Sequence, residues 1–72
     1  MATYRIMANI VETAPGEHQV TVSAIPSDMS SAEVRSDTLL SISEAEAQRE
    51  YLVMSIATEL RARGDEIAAL EE

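Results

Sequence analysis

Residues 43–64 read SEAEAQREYLVMSIATELRARG, and the fold turns on this stretch. Its apolar residues recur at steps of three and four. Leu52, Val53, Ile56 and Leu60 form one stripe, widened by Ala45 and Ala57. That is the period of a helix that buries one side. The ends carry matching signals. Ser43 with Glu46 fits a capping box, and Glu44 and Glu46 place negative charge in the first turn, where the helix dipole favours it. Arg61 and Arg63 suit the opposite end, and Gly64 is a natural residue just past it. Glu59 and Arg63 are spaced four apart in the favourable order. The spacing predicts a helix over 44–63.

Upstream the beat changes to two. Tyr4, Ile6, Ala8 and Ile10 alternate with Arg5, Met7, Asn9 and Val11. Val20, Val22 and Ala24 alternate with Thr21 and Ser23. Both patterns are those of strands with one buried face. Between them, Pro15-Gly16 has the chemistry of a type II turn, with a connection expected to be longer than two residues. Pro26 cannot donate to a ladder and should end the second strand. Residues 27–36 are rich in Ser, Asp and Glu and read as an irregular link, with a weak capping signal at Ser30 and Glu33. Thr38 to Ile42 reads as a short third strand or as an early start of the helix.

The expected fold is α+β: a small antiparallel sheet, built from an N-terminal hairpin and a short third strand, packed by one long C-terminal helix. Residues 1–64 form the domain and residues 65–72 an acidic extension. The extension either frays or continues the helix through Gly64. Continuation would line up Val53, Ile56, Leu60, Arg63, Ile67 and Leu70 as a coiled-coil seam. The expected core is Tyr4, Ile6, Ala8, Ile10, Val20, Val22, Ala24, Leu40, Ile42, Leu52, Val53, Ile56 and Leu60.

This core is thin. Of 33 hydrophobic residues in a chain of 72, 11 are alanine and 4 are methionine, with no Phe and no Trp. A chain of this length hides only about 60% of the surface it exposes when unfolded. A single helix also leaves one sheet face and both edges open. A homodimer is the simplest remedy.

Composition narrows the chemistry. With no cysteine there is no disulfide scaffold and no thiolate metal site, and one histidine cannot make a two-histidine motif. Five arginines and no lysine face 13 acids, a net charge of −8, which argues against direct nucleic-acid binding. No apolar run approaches the ~20 residues that span a bilayer, and no signal sequence is evident, so a cytoplasmic location without membrane attachment is expected. His18 beside the turn lacks an orienting partner in sequence. Glu44, Glu46 and Glu50 read as a solvated face rather than a cation site. No residue is assigned a catalytic, cofactor-binding or metal-binding role.

What remains is an interaction surface. Tyr51 and Met54 lie off the buried stripe, and Met7 and Val11 lie on the hairpin's second face. Arg49 projects along the stripe, either with its stem packed and its head in water or paired with an acid of a partner. Arg63, Ile67 and Leu70 join the candidates through the possible seam. The functional expectation is a non-enzymatic protein-interaction or regulatory module that self-associates or binds another protein. The alternative is an acidic mimic of nucleic acid that occupies a basic site on a partner. The hairpin-then-helix order resembles that of some small antitoxin domains, in element order alone and with no motif matched. A mimic needs acids clustered on one face, whereas Arg49, Arg61 and Arg63 interleave with the helix acids here.

Overall fold

The computed structural model describes residues 2–71. Five elements follow one another: β1 (Thr3–Ala14), β2 (Glu17–Pro26), β3 (Glu33–Leu39), α1 (Ile42–Ala62) and β4 (Glu66–Glu71). The strands form one sheet in the order β3-β2-β1-β4. β1 pairs antiparallel with β2, and β2 with β3, while β4 lies parallel to β1. The α+β class holds. The sheet, however, has four strands and is mixed rather than purely antiparallel, and the helix is followed by a strand.

The hairpin follows from its sequence. Register pairs Ile6 with Ala24, Ala8 with Val22 and Ile10 with Val20, so both alternating rows share one face. Gly16 takes φ +78°, as a type II turn requires. The connection is the two residues Pro15 and Gly16 rather than a longer loop. A register shift between Glu12 and Ala14 absorbs Thr13 as a bulge. Such a bulge restores the twist that an unprimed turn would spoil.

The third strand lies earlier than its apolar residues suggest. Residues 33–39 pair with β2, from Ala24 opposite Glu33 to His18 opposite Leu39, and Ser30 starts no helical turn. Polarity hides this strand. On its helix side stand Glu33, Arg35, Asp37 and Leu39, and the first three bond to α1 instead of packing against it. Arg35 pairs with Glu59, Glu33 accepts from Arg63 at 2.6 Å, and Asp37 accepts from Gln48 at 3.0 Å. Leu40 lies beyond the strand end and is 75% exposed, and Ile42 is exposed in the first helical turn. Neither belongs to the core, and Leu39 packs against it instead.

The helix starts two residues early. Ser41 is the N-cap, in extended geometry, and its hydroxyl accepts from the Glu44 amide at 3.2 Å. The sequence holds two overlapping Ser-x-x-Glu boxes, and the earlier one caps. At the other end Gly64 takes φ +86°. Its amide bonds to the Arg61 carbonyl at 3.0 Å, and the Asp65 amide bonds to the Leu60 carbonyl at 2.9 Å. This pair is a Schellman motif, which stops the helix and reverses the chain.

Residues 65–71 therefore neither continue the helix nor fray, and Glu72 of the expected extension lies outside the described residues. The Asp65 carboxylate accepts from the Ala2 amide at 2.9 Å, and the Glu66 amide donates to the Ala2 carbonyl at 2.8 Å. These bonds place Ile67 opposite Tyr4 and Leu70 opposite Ile6. Beneath α1 the core holds Ile6, Val20, Val22, Ile56 and Leu60 with almost no exposure, together with Ala8, Ala24, Ala45, Leu52, Val53 and Ala57. Tyr4, Ile10, Leu39 and Ile67 pack at its margin. The alanines let helix and sheet approach closely. Each fully buried Ile or Leu contributes about 1.5–3 kcal/mol.

Candidate functional site

Met7, Val11, Tyr51 and Met54 fall on two opposite sides of the molecule, while Met29, Leu40, Ile42 and Leu70 are exposed elsewhere. Met7 and Val11 lie on the sheet face away from α1. Register sets Met7 beside Ser23 and Ser23 beside Val34, and it sets Val11 beside Gln19 and Gln19 beside Thr38. Hydroxyls and an amide separate the apolar side chains there. Scattered exposure of this kind is ordinary for a protein surface. Tyr51 and Met54 lie beyond the helix, on its outer side. The single surface expected from Met7, Val11, Tyr51 and Met54 together does not form, because the whole sheet and helix stand between the two pairs.

The outer side of α1 is more concentrated. Tyr51 is 64% exposed and Met54 69% exposed. With Ser55, Thr58 and Glu59 they line a shallow depression of about 380 Å³. Tyr51, Met54, Ser55 and Thr58 are spaced three, four and seven apart, so they form a second helical stripe opposite the buried one. Ala47 extends it by one turn. The Thr58 hydroxyl donates to the Met54 carbonyl at 2.8 Å, so it needs no partner outside the helix. The sequence carries the signal for Ala47 and Thr58 as steps of four, three and four through Tyr51 and Met54. The stronger inner stripe masks it.

The other candidates separate. Arg63 caps the C-terminal end of α1 and reaches Glu33 at 2.6 Å and Asp65 at 3.3 Å, with its guanidinium 6.0 Å from the Tyr4 ring centroid. Its ties, led by the hydrogen bond to Glu33, push its pKa further up. Arg63 thus joins β3, α1 and the start of β4. Ile67 packs against the core from β4, and Leu70 is 53% exposed on that strand. The seam drawn through Val53, Ile56, Leu60, Arg63, Ile67 and Leu70 is absent, because the helix stops at Ala62 and its first three members are buried.

Arg49 is half-buried and engaged within the chain. It lines an open cleft of about 550 Å³ between the hairpin end and the first half of α1, with Ile10, Glu12, His18, Ile42 and Glu46. His18 is held there by pairing with Glu12 and Leu39 in the sheet. The ionisable side chains of its lining are Glu12, His18, Glu46 and Arg49, and the lining includes no hydroxyl or thiol. Among the described residues no three His, Asp or Glu side chains gather as metal ligands, and no helix is long and apolar enough to cross a membrane.

No protein-family model, no curated protein and no solved structure matches this chain.

Proposed function

We propose that the chain is a non-enzymatic interaction module that binds protein through the outer side of α1, with a second copy of itself as the first partner. The exposed stripe Ala47, Tyr51, Met54 and Thr58 carries this reading. It sets a large aromatic and a flexible thioether side by side on a rigid helix, and both side chains are favoured at protein interfaces. The thin core supports it too, since association buries apolar surface that one copy cannot. The acids weigh against a mimic of nucleic acid. Glu33, Glu59 and Asp65 are tied to Arg63 and Arg35, so the acids near the C-terminal end of α1 are neutralised within the chain.

Sedimentation equilibrium of the full chain, from about ten to several hundred micromolar, tests the reading. The expected outcome is a concentration-dependent rise from the 7.8 kDa monomer to twice that mass. A constant monomer mass at the highest concentration would remove self-association.

A further inference from the structure

The outer stripe also specifies how two copies meet, an inference that rests on the self-association proposed above. Extended to both ends of the helix, the stripe runs Glu44, Ala47, Tyr51, Met54, Thr58 and Arg61, and every member is exposed. The steps are three, four, three, four and three, the spacing of residues that interlock between paired helices. An acid stands at one end and an arginine at the other, about 25 Å apart along the axis at 1.5 Å per residue.

We infer that two copies pair α1 against α1 in antiparallel fashion, about a two-fold axis that passes between Leu52 and Val53. Three observations support this arrangement, and the first separates it from parallel pairing. In that register Glu44 faces Arg61 of the partner subunit, and the pair recurs at the other end by symmetry. Parallel pairing would set Glu44 against its own copy and Arg61 against its own. Both charges are available, because among the described residues neither takes part in an ion pair, while Glu33, Glu59 and Asp65 are engaged by Arg63 and Arg35.

The second observation is length. The axis falls at the middle of Ile42–Ala62, so the whole helix is used. The third is fit. Tyr51 meets the partner's Met54, a sulfur–aromatic contact, and Ala47 meets the partner's Thr58, where small side chains let the backbones approach. Antiparallel alignment also places opposite dipole ends together. One helix pair covers less than the roughly 1,200–2,000 Å² of a standard interface, so affinity on the order of micromolar is expected.

The chain lacks cysteine, which permits a direct test. Ala47→Cys and Thr58→Cys chains are mixed under mild oxidation, and disulfide-linked products are resolved by mass. Cross-linking between the two different variants, in preference to either variant with itself, is the expected result. Ala47→Cys linking to itself would mean parallel pairing and overturn the inference. No cross-link, in a protein that sediments as a dimer, would place the contact elsewhere and overturn the register while leaving self-association standing. A monomer mass would overturn both. As a second arm, Arg61→Glu should weaken the dimer about tenfold and Glu44→Arg/Arg61→Glu should recover it, since each swap alone turns two attractions into repulsions. Failure of the double swap to recover a chain that circular dichroism shows folded would also overturn the register.

Discussion

β1 and β2 bury a continuous apolar row beneath α1, whereas β3 and β4, on either side of them, bury little. Ile6, Ala8, Val20, Val22 and Ala24 all come from the central pair. From the edges, among the described residues, only Leu39 and Ile67 reach the core margin. β3 is fastened instead by polar ties from Glu33, Arg35 and Asp37 to α1. β4 is fastened by the Gly64 reversal and by the bonds of Asp65 and Glu66 to Ala2. The difference teaches where stability resides. Apolar burial supplies the driving force at the centre, while exposed ion pairs and backbone bonds set position at the edges and contribute little net free energy. Charged edge strands also discourage further strand pairing.

The largest effect should come from the centre. Ile56 is fully buried under the hairpin, and Ile56→Ala should cost about 2–5 kcal/mol in urea unfolding. Total stability for a chain of this length is roughly 4–11 kcal/mol, so that variant should lose a large fraction of it and unfold at a much lower urea concentration. A cost below about 1 kcal/mol would mean that the helix does not hold the sheet as described.

An intermediate effect is expected where the chain turns into β4. Gly64→Ala puts a Cβ on a residue with φ +86° and meets no steric neighbour, so the cost is backbone strain alone, about 1–2 kcal/mol. Hydrogen exchange sharpens the comparison. Amides of residues 66–70 should lose protection in this variant while those of residues 20–24 keep most of theirs. Equal loss in both would show that edge and centre open as one unit.

The smallest effect belongs to β3. A double-mutant cycle on Glu33→Gln and Arg63→Ala should return a coupling far smaller than the cost of Ile56→Ala, because both side chains are partly exposed and water screens the pair. A coupling as large as the cost of Ile56→Ala would place the edge on the same footing as the core and erase the distinction.

The same contrast explains what the residues disclose. The hairpin and the helix are legible because their function in the fold is apolar burial, which leaves a period of two or of three and four. Pro15-Gly16 and Gly64 mark the reversals by their backbone requirements. β3 is expected too late, over residues 38–42 instead of 33–39, because the side chains it turns toward the helix are mostly charged, so Glu33-Val34-Arg35-Ser36-Asp37 reads as a solvated link. β4 is missed because Ile67-Ala68-Ala69-Leu70 has the composition of a helix and its strand form depends on β1 lying alongside. The interaction candidates divide likewise. Tyr51 and Met54 are legible as off-stripe residues, but only the fold shows that Met7 and Val11 face away from them and that Arg63 is occupied at the helix end.

By itself the amino-acid order determined a hairpin, a capped helix with one apolar stripe, a stop at Gly64 and an acidic surface. Each of these is local, arising from side-chain period or from the torsions that glycine and proline permit. Tertiary structure alone decided that the chain returns past Gly64 to lie parallel to β1, that residues 33–39 extend rather than wander, and which exposed side chains share a side. Those outcomes depend on backbone donors and acceptors of distant segments finding each other, and every residue but proline carries the same main-chain donor and acceptor.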